Sequence, residues 1–267
     1  MRIFFKVFKT SLLEELQYKG AFISGIICQM AFGLMYVFLY SAFFENGIPQ
    51  NFNQVQMASY IWLGQALFAM FAFFDINRKE ITDSITSGNV SYQLIKPINI
   101  YDYWFYQVLS TGISKVIVRA IPMVIITIIL PPGLGLSLPF SILHFILFII
   151  STILGAILVT SIRMLSYLVV LYTLNSRGVF GLITTICSFL SGCYVPLPLL
   201  PDKIQFIFSL FPFRYVNDLP YRIYIGNLNI NSSLIQILIQ LAWIFILILS
   251  GKILYNKKSR NLAVQGG

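Results

Sequence analysis

Residues 191–201 read SGCYVPLPLLP, and a long apolar stretch lies on each side of them. The three prolines of this segment cannot belong to a regular helix, because each lacks an N–H group and its ring clashes with the preceding turn. Nearly all the neighbouring residues are nevertheless apolar, which would make a poor loop in water. The segment therefore predicts a chain break at a membrane face, or one partly inside a membrane and covered by protein.

The composition of the whole chain indicates a membrane protein. Of the 267 residues, 58% are hydrophobic and 10% are charged, and the mean hydropathy is +0.82, whereas soluble domains carry about 25% charged residues. The net charge of +9 comes from basic residues scattered between apolar blocks, which fits an inside-positive bias better than nucleic-acid binding. The three cysteines suggest neither a disulfide framework nor a zinc site, and the single histidine, His144, excludes a His-rich metal cluster.

Six apolar stretches are long enough to cross about 30 Å of hydrocarbon, which takes about 20 helical residues. They lie near 20–44, 57–74, 112–132, 140–161, 179–197 and 232–254. The first is too long for the apolar core of a signal peptide and no clear cleavage site follows it, so we expect it to be retained. The predicted fold class is an all-α polytopic membrane protein with six transmembrane helices, forming a single domain over residues 1–267.

The distribution of lysine and arginine predicts the orientation. With the N-terminus inside, most basic residues are cytoplasmic: Arg2, Lys6, Lys9, Lys19, Arg78, Lys79, Lys96, Arg163, Arg177, Lys257, Lys258 and Arg260. The outer side then receives three basic residues, which three acids offset: Lys203, Arg214 and Arg222 against Glu45, Asp202 and Asp218. Both termini are therefore expected in the cytoplasm. Residues 163–177 are too short to span, and we expect a helix at the inner interface; a seventh span there would place the Lys257–Arg260 cluster outside.

The first 18 residues predict an amphipathic helix in the headgroup plane of the cytoplasmic face. One side of this helix is mainly apolar and carries Ile3, Phe4, Val7, Phe8, Ser11, Leu12 and Glu15. Basic residues lie largely off that side.

The longest polar stretch, residues 75–104, falls between the second and third spans. Ile81 and Ile85 are spaced as on one helix face, and Gly88 followed by asparagine is a plausible helix stop. Asn99 with Asp102 is similar to a capping box and predicts a second short helix that leads into the third span. About 30 residues of this kind suffice for a docking element and are too few for a catalytic domain.

These features together resemble the ABC-2 family of ABC-transporter permeases, and most closely its small six-span bacterial branch. The resemblance rests on the six spans, the N-terminal helix, the pair Ile85-x-x-Gly88 and Leu94-Ile95-Lys96-Pro97, and the Ser-Gly-x-x-x-Pro-Leu-x-x-Leu-Pro element of residues 191–201. It covers essentially the whole chain. It implies a type V exporter-like fold in the cytoplasmic membrane and a dimer, formed by two copies or with a sister permease.

The resemblance also implies a separate ATPase, in two copies, that docks on the loop between spans two and three and on the N-terminal helix. The chain itself has no Gly-x-x-x-x-Gly-Lys-Ser/Thr motif, since Gly251-Lys252 is followed by Ile253. Without that glycine loop there is no nest of N–H groups for phosphates. We therefore expect no nucleotide-binding domain and no cofactor on this chain, with ATP and Mg²⁺ bound by the partner.

Carried onto this chain, the resemblance places the ATPase-coupling element within residues 81–97. Ile85, Tyr92, Leu94 and Ile95 would be apolar contacts for a groove on the ATPase, and charged residues from Arg78 to Asp83 would set the register. The candidate coupling residues are Glu80, Ile81, Asp83, Ile85, Gly88, Tyr92, Leu94, Ile95, Lys96 and Pro97. The alternative is that this loop is a solvated connector.

The same resemblance implies short external or re-entrant helices within residues 196–231. The residues expected to shape this element are Gly192, Pro196, Pro198, Pro201 and Pro212.

Small and polar residues at helical spacing in the first and fifth spans either pack helices closely or line a translocation route. Arg119 lies on the third span, where a central arginine costs about 2.5 kcal/mol or more. It snorkels to the inner headgroups, contacts an anionic substrate headgroup, or contacts a protein partner. The candidate path residues are Gln29, Gly33, Gln65, Arg119, Thr184 and Ser188.

The sequence as a whole predicts the membrane subunit of an ATP-driven exporter with an amphipathic or lipid-like substrate. An ATP-independent transporter or channel would want acidic residues at membrane depth, and the sequence offers none there. A membrane-embedded transferase would need histidine or carboxylate groups that converge, which one histidine and nine acids make a weak prospect. Membrane lipids are expected partners, whereas nucleic acid is not.

Overall fold

The computed structural model of the chain describes residues 2–45, 53–71, 79–87 and 99–259. Within those ranges the regular elements are helices. They are α1 Arg2–Gln17, α2 Lys19–Glu45, α3 Gln54–Phe71, α4 Lys79–Thr86, α5 Ile100–Ile129, α6 Ile142–Thr173, α7 Ser176–Leu190, a 3₁₀ turn Leu197–Leu199, α8 Asp202–Ser209, α9 Arg214–Tyr224 and α10 Ile230–Ser259. The all-helical prediction is confirmed for the described part of the chain.

Four of these helices are long and apolar enough to cross a membrane: Phe22–Phe44 within α2, and α5, α6 and α10 in full. The other two predicted spans correspond to α3, which has 18 described residues and is mostly buried by protein, and to α7. Helix α7 has 15 residues and ends at Leu190, so the predicted fifth span to residue 197 was too long. It ends there because the glycine and prolines that follow cannot continue a helix. The count of six crossings stays a prediction.

Helix α6 replaces the fourth span and the interfacial helix that the sequence predicted separately. It runs for 32 residues, about 48 Å at 1.5 Å per residue, so the helix at 163–177 was wrong. Arg163 lies inside it, 5% exposed, and its Nη2 donates to the carbonyl of Met70 at 2.9 Å. Arg163, which was expected in an interfacial helix, is thus buried by protein, and the helix continues to Thr173, where Leu174 caps it with a φ of 55°.

Helix α5 likewise joins two predicted elements into one. Asn99 caps it, because its Oδ1 accepts from the N–H groups of Tyr101 at 3.0 Å and Asp102 at 3.4 Å. The predicted helix start is therefore confirmed, but the short helix and the third span are one 30-residue helix. It ends at Ile129, just before the prolines at 131 and 132, which cannot continue it.

Helix α1 packs lengthwise against α5. The rings of Phe4 and Tyr106 lie 5.9 Å apart between centroids, the Oγ atoms of Ser11 and Thr111 lie 3.4 Å apart, and Glu15 pairs with Arg119 at 3.8 Å. All three α1 residues belong to the side that the sequence predicted to be mainly apolar. The position of α1 in the headgroup plane stays a prediction.

Helix α6 is the centre of the bundle, since α9 and α10 pack along it and α3, α4, α5 and α7 also contact it. Gly155 permits the close approach of α9 and α3, because a Cβ there would lie 3.0 Å from the carbonyl of Val216 and 3.2 Å from the Phe71 ring. The buried Gln240 of α10 donates to the carbonyls of Ser151 and Tyr215 at 3.0 and 2.8 Å. These contacts fix α9 against the two long helices.

Candidate functional site

A cavity of about 400 Å³ lies between α2, α3, α5, α9 and the loop after α7. It follows α2 from Gly25 to Tyr40, a rise of about 22 Å, so it is long and narrow. Its lining residues are Gly25, Cys28, Gln29, Phe32, Tyr36, Tyr40, Tyr60, Ile61, Gly64, Gln65, Phe68, Phe71, Arg119, Gly192, Cys193, Tyr194, Pro196, Asn217 and Tyr221. Eight of these nineteen residues are aromatic.

One end of the cavity carries a positive charge. Arg119 reaches it from α5, and its Nη2 lies 3.8 Å from Glu15 Oε2, with each side chain about one-fifth exposed. A Cβ at residue 25 would lie 3.3 Å from Arg119 Nη1, so the glycine makes room for the guanidinium. The buried Nε of Arg119 has no hydrogen-bond partner among the described residues.

Two amides face the cavity with unsatisfied oxygens. Gln29 and Asn217 are each 7% exposed, and neither Gln29 Oε1 nor Asn217 Oδ1 has a partner among the described residues. The Nδ2 of Asn217 donates to Ser191 Oγ at 3.3 Å, which fixes the orientation of the amide. Buried polar groups normally have partners, so both oxygens are unused acceptors on residues of the cavity wall.

A buried charge cluster on α9 touches the cavity wall through Tyr60. Asp218 is fully buried and accepts from Arg214 Nε at 3.0 Å, from Arg222 Nε at 2.8 Å and from the Tyr60 hydroxyl at 2.8 Å. Arg222 Nη2 also donates to Gln205 Oε1 at 2.7 Å. This cluster joins α3, α8 and α9 around the cavity.

The charge of Asp218 is held by its partners. Burial raises the pKa of its carboxyl, but the guanidinium groups of Arg222 and Arg214 outweigh burial and leave the pKa below its ordinary value. The carboxylate therefore stays ionised at neutral pH, as a fixed tie between α9 and α3.

The loop after α7 shapes the wall beside this cluster. Gly192 has a φ of 80°, and a Cβ there would lie 2.8 Å from the Leu197 side chain. A left-handed backbone this close to a neighbour requires glycine. The turn places residues 192–196 against the cavity, and Pro196 precedes the short 3₁₀ turn.

Helix α4 is docked on the body of the protein. Ile81 and Ile85 are 1% and 3% exposed, and α4 packs on α6. At its start, Glu80 Oε2 accepts from Gln107 Nε2 of α5 at 2.9 Å. Any force on α4 would therefore reach α5 and α6 directly.

A family model described as ABC-2 family transporter protein matches residues 27–266. The chain belongs to the ABC-2 family. This membership makes it a membrane protein of the transporter class, a permease and not an enzyme. The comparisons with curated proteins and with solved structures gave no match.

Three of the six predicted path residues of the permease meet in the cavity: Gln29, Gln65 and Arg119. Gly33 instead packs against Trp62, whose ring a Cβ at residue 33 would overlap. Thr184 and Ser188 lie on α7 and do not line the cavity, although Ser188 is fully buried. Their assignment to a path stays a prediction.

Of the residues predicted to shape the external element, Gly192 and Pro196 line the cavity. Pro198 belongs to the 3₁₀ turn, Pro201 precedes α8, and Pro212 is buried two residues before α9. Residues 196–231 do contain short helices, α8 and α9, before α10. Whether they lie outside the membrane stays a prediction.

The coupling candidates of the permease divide in two. Glu80 and Asp83 are exposed on α4, whereas Ile85, predicted as an apolar contact for an ATPase, is buried within this chain; its role in coupling stays a prediction. Ile81 is buried beside it. The apolar face of α4 packs on α6. The candidates that lie outside the described residues are Gly88, Tyr92, Leu94, Ile95, Lys96 and Pro97.

Sequence reasoning missed the residues of α9 that build the site. Arg214, Asp218 and Arg222 were expected as outer surface charges, but they form the buried cluster, and Asn217 and Tyr221 beside them line the cavity. The signal was present, since opposite charges recur at four-residue spacing. The single histidine, His144, is hydrogen-bonded within the fold, with Ser141 Oγ at 2.8 Å and the Leu228 carbonyl at 3.1 Å from its ring nitrogens.

Proposed function

We propose that this permease is the membrane subunit of an ATP-driven exporter and that it moves an amphipathic or lipid-like substrate across the cytoplasmic membrane. Family membership supports the transport role. The observation that carries the proposal is the cavity, because it combines aromatic walls with one guanidinium and two unsatisfied amide oxygens. Apolar walls with a few placed polar groups are typical of sites for small ligands.

The proposed energy source is an ABC ATPase in two copies, which would bind ATP and Mg²⁺, while this chain would bind no cofactor. Residues 75–104 would form the coupling region, with Glu80 and Asp83 of α4 presented to the ATPase. Ile81 and Ile85 would pass the movement to α6, and the Glu80–Gln107 hydrogen bond would pass it to α5. Since α5 carries Arg119, movement of α4 would change the charged end of the cavity.

The proposed assembly is a dimer of permeases, formed by two copies or with a sister subunit, with six crossings per chain and both termini in the cytoplasm. The basic residues support this orientation under the positive-inside rule. α3 and α7 would be the two further crossings, and a second permease would cover part of their surface. The short helices α8 and α9 would then lie toward the outer face.

The experiment that tests this function is purification of the tagged permease from its native membrane, followed by identification of bound ATPases and reconstitution in proteoliposomes. The function predicts an ATPase in the complex, with ATP hydrolysis that depends on the permease. A permease that purifies without any ATPase and takes up no label in the presence of ATP and soluble cell extract would contradict it. An Asp83→Lys variant should lower the ATPase yield while an Asp202→Lys variant on α8 leaves it unchanged.

A proton-coupled transporter is not favoured by the site. Asp218 is the buried carboxylate of the described residues, and its pKa is lowered, so it carries no exchangeable proton near neutral pH. A role in proton coupling would need a raised pKa for this carboxyl. The ATP-driven function therefore remains the proposal.

A further inference from the structure

The cavity places a cation at one end of a long apolar wall, and this arrangement is complementary to an elongated apolar molecule with an anionic group at one end. Arg119 stands beside Gly25, and aromatic residues continue from there toward Tyr40, about 22 Å away along α2. That distance exceeds the thickness of one leaflet of hydrocarbon, about 15 Å. A molecule that fills the cavity is therefore elongated, and a charged group on it would lie at the Arg119 end.

The sign of the polar group follows from the charges that face it. Arg119 is the ionised side chain among the described residues that line the cavity. Its side chain is 21% exposed, and its Nη2 lies 3.8 Å from Glu15 Oε2, too far for a strong hydrogen bond. Charge-assisted hydrogen bonds to a guanidinium favour a carboxylate or phosphate oxygen. An incoming cation would meet the same guanidinium and be repelled.

We propose that the cavity binds a single-chain amphiphile with one anionic headgroup, that the guanidinium of Arg119 holds that headgroup, and that Glu15 limits the affinity by sharing the guanidinium. The hydrocarbon packs along Phe32, Tyr36 and Phe68. This inference deepens the proposed function, because it names the chemistry of what the permease carries. It also assigns Glu15 of the N-terminal helix to the site, as a residue that acts through Arg119.

The protein offers its own reporter, since Cys28 lines the cavity and is exposed, whereas Cys187 is buried. The purified full-length chain is placed in nanodiscs of phosphatidylcholine and treated with N-ethylmaleimide. The rate at Cys28 is read by mass spectrometry with increasing dodecanoate or, separately, dodecyltrimethylammonium. Dodecanoate should slow labelling several-fold, and the trimethylammonium compound should not.

Three variants make the test specific. Arg119→Gln should raise the dodecanoate concentration for half-protection by about ten-fold or more, the usual size of a charge-assisted hydrogen bond, while Arg119→Lys should retain part of the protection. Glu15→Gln should lower that concentration by about three-fold, the size of a partly exposed ion pair. The gain from Glu15→Gln is a result that a misfolded variant could not produce.

The matched control is Ile27→Cys in a Cys28→Ser background. Residue 27 lies at the same depth on α2, is 62% exposed and does not line the cavity. Three results would each overturn the inference. Dodecanoate could protect the thiol introduced at position 27 as well as it protects Cys28, the cationic amphiphile could protect Cys28 equally well, or Arg119→Gln could leave the protection unchanged. The assay needs no ATPase, so its failure is distinct from failure of the proposed function.

Discussion

Replacing Asp218 with asparagine tests whether the buried cluster on α9 ties that helix to α3. The change leaves Arg214 and Arg222 side by side without their carboxylate, at 11% and 9% side-chain exposure. Removing one partner of a buried ion pair costs about 3–5 kcal/mol, because the remaining charge is left uncompensated. We expect Asp218→Asn to lower the free energy of unfolding by about that amount.

The magnitude can be divided among the partners. Tyr60→Phe removes the hydroxyl that donates to Asp218 at 2.8 Å, and a hydrogen bond to a charged group contributes about 1.5–3 kcal/mol. Asp202→Asn is the control, because Asp202 is exposed on neighbouring α8 and such a change usually stays within about 0.5 kcal/mol. Unfolding with sodium dodecyl sulfate in mixed micelles, followed by tryptophan fluorescence, measures all three.

The order of the three variants in unfolding stability tests whether the carboxylate of Asp218 holds the cluster together. The structure predicts that Asp218→Asn destabilises most, Tyr60→Phe less and Asp202→Asn hardly at all. If Asp218→Asn were as stable as Asp202→Asn, the carboxylate would not be holding two buried arginines and the cluster would not tie α9 to α3.

Further substitutions test other parts of the structure. Ile85→Ala should destabilise the permease by about 2–5 kcal/mol, because it empties a buried position. Asp83→Lys should leave stability unchanged and lower ATPase binding in a pull-down. The reverse pattern would show Ile85 to be a surface contact. Gly33→Leu should destabilise the permease by about 1–3 kcal/mol through overpacking against Trp62. Adding Trp62→Ala to Gly33→Leu should recover part of that loss in the same unfolding assay, and no recovery would mean that the two residues do not touch. Asp218 should contribute stability above about pH 3.9, the pKa of its carboxyl in the unfolded chain, and this contribution should disappear as the pH falls through the lower pKa of the folded chain. Asp218→Asn should abolish that acid dependence of the free energy of unfolding. A variant as acid-sensitive as the native chain would exclude Asp218 as the source.

The sequence predicted well those features that depend on neighbouring residues. The cap at Asn99 and the end of α5 before the prolines at 131 and 132 follow from local backbone chemistry. The contact face of α1 follows from helical periodicity. Of the six path candidates, Gln29, Gln65 and Arg119 line the cavity, and their role in a path stays a prediction.

The features that the sequence did not predict depend on distant partners. Arg163 looked like a charge at the cytoplasmic interface because nothing near it in sequence reveals that Met70, 93 positions away, accepts its hydrogen bond. Asp218 looked like a surface acid for the same reason, since Tyr60 of α3 is 158 positions distant. Ile85 looked available to a partner because periodicity identifies an apolar face without identifying what covers it. Tertiary packing decided each of these cases.

The central claim is that an ATPase changes the state of this cavity, and it can be tested without knowledge of the cargo. The measurement is the maleimide labelling rate of Cys28 in the permease–ATPase complex, with and without vanadate trapping of ATP. The account predicts a several-fold change in that rate at Cys28 and none at the thiol introduced by Ile27→Cys in the Cys28→Ser background. Equal rates at Cys28 in the trapped and nucleotide-free complexes would contradict it.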